Sequence, residues 1–359
     1  GVEAPGANVM PFPGAPVISS RQPPNAVRLR VCRVETAQGE VQVVCGAPNA
    51  RTGMWAVFAP AGSYIPGTGI TLTPGVIRGE QSNGMLVSER EMGLSDEHDG
   101  IIDLKEPAPL GTPLAQLLGL DDPVIEVAIT PNHAEALGVR AIARDLAAAG
   151  LGRLKPLDLS PVAGSYDSPL TWQIAPGAET HCSYVAGRHF RGVKNGPSPK
   201  WLQDRLRAIG LRPISALVDI TNYVTFDLNR PLHVFDAAKV QRHPTMRLAR
   251  AGEQVLALDG RTYALDPSIL VIADERAPEA IAGIMGGEET GCSPSTTEVF
   301  LEVAWFDPIL VQRAGRKLGV TSDARYRFER GLDPQSCVWG VETATRLILE
   351  LCGGEASHP

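Results

Sequence analysis

Two residues in this sequence combine reactive chemistry with apolar surroundings: His233 and Glu302. His233 lies in the stretch DITNYVTFDLNRPLHVFD, residues 219–236, flanked by Leu232, Val234 and Phe235. A histidine there is either a satisfied core residue or a polar group presented from a rigid apolar bed. Glu302 interrupts the run VFLEVAWF, residues 299–306, which is β-branched and aromatic and therefore strand-like. A carboxylate inside such a strand needs a partner or a ligand. Asp307 and Pro308 then supply an N-cap and a first-turn proline, and Gly319 a helix stop, so a helix follows the strand. The strand beyond Glu302 advances roughly 16 Å and the helix returns roughly 16 Å. The hydroxyl-bearing loop 320–324 should thus come back level with Glu302.

The chain has 359 residues, enough for two or three domains with sizeable cores. Its net charge of −7 confines any nucleic-acid contact to local patches. Residues 1–26 are rich in Pro, Gly and Ala and read as a poorly specified lead-in. Short alternating runs at 29–34, 41–45, 54–59, 69–72 and 84–88 suggest a small closed β-barrel, with a domain spanning 27–117. Arg28, Arg30, Arg51, Arg78 and Arg90 lie in or beside it. A strand at 124–129 and a helix at 133–149 make a separate piece, 118–152, and a Pro/Ser/Gly-rich linker occupies 153–171. A mixed α+β domain spans 172–334, with a helix at 200–209, strands at 246–256, 269–273 and 281–285, and a glycine-rich turn at 283–287. A last helix, 338–352, opens a further segment, 335–359. The fold class expected is α+β multidomain.

Other chemistries fit poorly. The six cysteines include no CxxC pair, and they read as reduced and mostly buried, as in a cytosolic protein. His181, Cys182 and His189 lack a fourth ligand, and a metal hydrolase using His233 and Glu302 lacks its remaining ligands; no metal site is expected. The turn GIMGG is not followed by GK[ST], no GxGxxG is present, and no Ser-His-Asp arrangement stands out. No run approaches the length of a membrane span.

The segments VCGAPNAR, IRGEQSNGMLVSEREMGLSDEHDGI, TPNHAEALGV, LRPISALVDITNYV, RPLHVFD, GIMGG and TSDARYRFERGLDP occur in this order. Together they resemble the bacterial phenylalanyl-tRNA synthetase β subunit, over residues from about 24 to 356. The resemblance implies a piece of a longer subunit. It implies that the barrel is a tRNA-binding OB module, with Arg28, Arg51 and Arg78 as candidate tRNA contacts, and that 172–334 is an editing domain. It implies a cytoplasmic α2β2 assembly whose partner α subunit attaches phenylalanine to tRNA(Phe). ATP and Mg2+ would be needed by the complete enzyme, and editing in this chain would need no cofactor.

Tyrosine exceeds phenylalanine by a hydroxyl, and an apolar pocket rejects an added hydroxyl by only about 10²-fold. The family solves this by hydrolysing Tyr-tRNA at a second site in the β subunit. A tyrosine-selective site should offer a buried acceptor to the phenol, and Glu302 is the matching position. The resemblance places His233 and Arg212 beside the tRNA 3′ end, where Arg212 could hold a phosphate or ribose oxygen and His233 could bond the ribose or orient water. Gly286, Ser322 and Ala324 match pocket-wall positions, with Thr221 and Asn222 as further lining. The family often has threonine where Ser322 stands. The alternative is a tRNA-binding or assembly module that does not hydrolyse.

Overall fold

A computed structural model describes residues 2–4, 6–24 and 28–359. The chain divides into two compact units, residues 1–127 and 128–359.

The first unit is built on five antiparallel strands: β1 (Gly14–Arg21), β2 (Arg30–Thr36), β3 (Gly39–Cys45), β4 (Trp55–Pro60) and β5 (Gly84–Leu86). They are ordered β5-β4-β1-β2-β3. The edge at β3 is drawn back toward β5: Asn83 N–H donates to the Gln42 carbonyl at 2.9 Å, and Val44 N–H to Ser82 Oγ at 3.0 Å. The result is a nearly closed barrel whose interior holds Ala15, Val17, Val34, Val43, Ala56 and Phe58.

β1 corrects the sequence reading of residues 1–26 as poorly specified, because it is the middle strand of this sheet. Pro16 and Gly14 hide it, and its pairing also changes part-way. Gly14–Pro16 pair with β4, while Val17–Arg21 pair with β2 across a bulge. A proline without an N–H is tolerated at such a changeover. Val27, expected to open the barrel domain, lies outside the described residues. Arg28, Arg51 and Arg78 are exposed, and Arg51 pairs with Asp103 at 2.8 Å.

The second unit contains two five-stranded sheets and a two-stranded one, residues 254–256 with 262–264. In one five-stranded sheet, β6 (Tyr184–Ala186), β7 (His189–Arg191) and β8 (His233–Asp236) flank a long central strand. The other is the antiparallel set β9 (Thr245–Leu248), β10 (Leu270–Ala273), β11 (Pro278–Ile281) and β12 (Met285–Gly286), with residues 173–174 alongside β9 in parallel. The central strand of the first sheet is β13 (Glu298–Trp305), with β6 and β7 on one edge and β8 on the other. Its alternation divides two cores. Phe300 and Ala304 pack with Phe235 and Ile272, while Val299, Leu301 and Val303 pack with Val234 and Leu217.

The α-helices of the second unit, in chain order, are α1 (Val139–Ala148), α2 (Lys200–Ala208), α3 (Ala216–Leu228), α4 (Pro308–Leu318), α5 (Asp323–Phe328) and α6 (Ser336–Cys352). Several boundaries differ from the sequence reading. The helix expected at 133–149 is a 3-10 turn, Pro131–Ala136, followed by α1, with the extended Gly138 as the break. Residues 282–284, expected in a strand, turn between β11 and β12, and 249–253 interrupt the strand expected at 246–256. α3 was not expected, because Val218, Thr221, Tyr223, Val224 and Thr225 are poor helix formers. Packing outweighs propensity there. Asp323 and Ala324, expected at the end of the loop 320–324, instead open α5. α6, expected to open a further segment, instead buries Cys337, Val341, Ala344 and Ile348 in the core shared with α3. The linker is tied to the same helix, since Val162 N–H donates to Glu342 at 2.7 Å.

Candidate active site

α3 presents Val218, Thr221, Asn222 and Thr225 as one stripe at helical spacing, and this stripe forms one wall of a cavity of about 340 Å³. The floor is the β8–β13 pair. His233 and Glu302 are direct cross-strand partners, so their side chains leave the sheet on the same face. Ile284, Met285 and Gly286 line a second side, and Ser322, Asp323, Ala324 and Phe328 a third. The fold therefore gathers His233, Glu302, Thr221, Asn222, Gly286, Ser322 and Ala324 around one space. The return of the α4 helix brings 322–324 level with Glu302, as the strand-and-helix arithmetic anticipates.

Glu302 is almost wholly buried. Among the described residues none donates a hydrogen bond to its carboxylate, and no ion pair is formed with it. Desolvation pushes its pKa up from 4.5 to about 7, against a lowering influence from Arg230. His233 packs edge-on against Phe235, with ring centroids 4.5 Å apart. Its Nε2 is shielded from solvent and has no partner among the described residues. Desolvation lowers its pKa to about 4, so the ring is neutral at neutral pH. An acid ionising near neutrality thus stands beside a neutral imidazole, each with unused hydrogen-bonding capacity.

Gly286 sets the position of the imidazole. A Cβ at this residue would lie 2.4 Å from His233 Cε1 and 2.7 Å from Nε2. Only a residue without a side chain lets the backbone of the 283–287 turn lie against the ring.

Ser322 departs from the expectation that its hydroxyl faces the acid. Its Oγ donates to the Ile284 carbonyl at 2.6 Å and accepts from Arg325 N–H at 3.0 Å. It caps α5 and ties that helix to the glycine-rich turn. The hydroxyls of Thr221 and Thr225 are likewise spent within α3, on the carbonyls of Val218 and Thr221. Asn222 keeps its amide free of partners among the described residues.

Arg212 does not share the cavity. It lies exposed in the lead-in to α3, where Pro213 keeps the chain extended, and it forms no ion pair among the described residues. The sequence reading missed Arg230, which is fully buried and donates to the Ala304 carbonyl, two residues beyond Glu302 on β13. It also missed Asp323, Cys292 and Phe328 in the lining. Their spacing carries no distinguishing signal. Among the described residues no group of three or more His, Cys, Asp or Glu side chains is arranged to hold a metal.

The chain is 59% identical over its whole length to the phenylalanine–tRNA ligase β subunit of Cereibacter sphaeroides. The chain belongs to the phenylalanine–tRNA ligase β-subunit family. The β subunits of Mesorhizobium japonicum and Rhodospirillum rubrum are 57% and 56% identical over 98% and 99% of the chain. The chain spans slightly under half of these curated relatives, at 46%, 44% and 45% of their lengths. Two family models match separate regions: the "Putative tRNA binding domain" at residues 15–113 and the "B3/4 domain" at residues 181–353. The first begins within β1 and the second includes α6. Among solved structures, an N-terminal fragment of the phenylalanyl-tRNA synthetase β-subunit from Pyrococcus horikoshii covers 54% of this chain and 60% of its own at 12% identity and TM-score 0.31. A likeness that low carries no argument.

Proposed function

We propose that this chain is the tRNA-binding and editing portion of a phenylalanine–tRNA ligase β subunit, and that the His233–Glu302 cavity hydrolyses tyrosine from mischarged Tyr-tRNA(Phe). The observation that carries the reading is the Glu302 carboxylate, buried in a strand, without a donor among the described residues, and open to a cavity of about 340 Å³. That volume lies within the range of about 300–1,000 Å³ usual for small-molecule sites. A phenol would supply the missing donor. Phenylalanine would leave the acceptor unpaired, which is the arrangement that discriminates most strongly.

The bond to be cut is an aminoacyl ester, already reactive. Positioning of a water suffices without a covalent nucleophile. The neutral His233 ring would bond the terminal ribose or orient that water. Arg212, outside the cavity, would meet the phosphate or ribose of the tRNA 3′ end. The barrel, through Arg28, Arg51 and Arg78, would contact the tRNA backbone. In this reading phenylalanine activation with ATP and Mg2+ belongs to a partner α subunit in an α2β2 assembly in the cytoplasm, and the editing site uses no metal. No helix among the described residues is long and apolar enough to cross a membrane.

The test is deacylation of Tyr-tRNA(Phe) and Phe-tRNA(Phe), each with and without chelator. Selective loss of tyrosine, unaffected by chelator, supports the proposal. Binding of tRNA without deacylation would instead favour a tRNA-binding or assembly module, and chelator-sensitive hydrolysis a metal site.

A further inference from the structure

Arg230 is the largest unexplained charge in the second unit. It follows Asn229, which ends α3 in the left-handed conformation at φ 55°, and it precedes Pro231. Its side chain is 0% exposed. Among the described residues it forms no ion pair. The guanidinium is instead held by neutral acceptors on three sides. Nε donates to the Pro231 carbonyl at 3.0 Å, Nη1 to Ser336 Oγ at 2.9 Å and Nη2 to the Ala304 carbonyl at 2.5 Å. Ala304 is two residues beyond Glu302 on the same face of β13. The guanidinium also lies 5.3 Å from the ring centre of Phe328, a cavity residue.

α6 makes room for this arrangement. A Cβ on Gly340 would lie 3.0 Å from Arg230 Cγ. Glycine inside a helix costs about 1 kcal/mol relative to alanine. A buried cation with no counter-ion in contact is costly too, so a purely structural filler would be better served by an apolar side chain.

We propose, resting on the editing reading, that Arg230 is a positioning residue for Glu302: a cation anchored behind the acid, which favours the carboxylate form while leaving both carboxylate oxygens to the incoming phenol. A direct salt bridge would occupy those oxygens. Absence of a cation would leave the acid protonated through neutral pH. Charge at one remove avoids both. The other titratable groups facing the pair are His233 from β8, Cys182 ahead of β6, Cys337 from α6, Asp333 beside Arg230 and Asp323 on the cavity wall. Burial pushes the pKa of Glu302 up and Arg230 pulls it down, the direction this role requires.

The test follows the Glu302 carboxyl by 13C NMR across pH in the parent, Arg230→Gln and Arg230→Lys, alongside the Tyr-tRNA to Phe-tRNA deacylation ratio. Arg230→Gln should raise the Glu302 midpoint by one pH unit or more and cut the tyrosine preference at pH 7 about tenfold. Arg230→Lys should restore most of both. An unmoved midpoint in folded Arg230→Gln overturns the proposal. If that variant does not fold, Ser336→Ala replaces it. Nη1 then keeps only Cys337 Sγ, at 3.7 Å, as an acceptor, and loosening the guanidinium should move the midpoint; a fixed midpoint there is equally fatal. If the midpoint moves while the parent shows no tyrosine preference, the role of Arg230 in setting the acid's charge stands and the editing reading fails.

Discussion

Replacing Glu302 by glutamine keeps the shape of the side chain and removes its proton. In the parent, burial raises the carboxyl from 4.5 in an unfolded chain to about 7 in the folded one. Between these values the folded state holds a proton that the unfolded state has lost, so stability falls as pH rises through the window and the full cost is present above pH 7. A gap of about 2.5 pH units is worth about 3 kcal/mol at 1.36 kcal/mol per unit. Glutamine carries no such slope, but its buried amide lacks a partner and costs about 1 kcal/mol at every pH. The variant should therefore be about 2 kcal/mol more stable than the parent at pH 8 and no more stable at pH 5. His233 titrates in the opposite sense, losing stability as pH falls from 6.5 toward about 4. It is common to both proteins and cancels in the difference. Urea unfolding of parent and variant at half-unit steps from pH 5 to pH 8 measures that difference. A flat difference across the range would refute the claim that Glu302 is a desolvated, unpaired acid, and with it the acceptor proposed for the phenol. The same variant should lower the ratio of Tyr-tRNA to Phe-tRNA hydrolysis, since a neutral acceptor replaces a charged one.

Gly286→Ala forces a Cβ to within 2.4 Å of His233 Cε1, so it should slow Tyr-tRNA deacylation more than tenfold while tRNA affinity is unchanged. Its stability loss should shrink in a His233→Ala background, read as a double-mutant cycle by thermal unfolding. Ser322→Ala removes the α5 cap and the bond to Ile284, and should cost about 1–2 kcal/mol in urea unfolding. Arg78→Ala, on the barrel, should weaken tRNA binding evenly across tRNA sequences and reduce the slope of log K against log salt by about 0.7–0.9, as expected for one lost phosphate contact in a filter-binding series.

What could be read from the sequence was what local chemistry dictates. Glu302 was conspicuous because an acid sits badly among Val303, Leu301 and Trp305, and Asp307, Pro308 and Gly319 mark the helix that folds back beside it. His233 stood out between Leu232 and Val234, and Gly286 within a glycine-rich turn; the resemblance added their roles, while their contact is a fact of packing. α3 was hidden because its threonines, tyrosine and valines favour strands. β1 was hidden by Pro16 and by its change of partner at a bulge. Arg230 looked like a turn residue, since an arginine between asparagine and proline is usually solvated. Its burial depends on Ser336 and Gly340 more than a hundred positions away, and no local pattern encodes that meeting.

β13 has hydrophobic packing on both faces, and Glu302 sits in its interior. Fraying at the periphery of the second unit should leave this strand intact, and its amides should exchange with solvent only when the whole unit opens. On heating, hydrolysis and secondary structure would then vanish at one temperature, with no half-melted form that still cleaves.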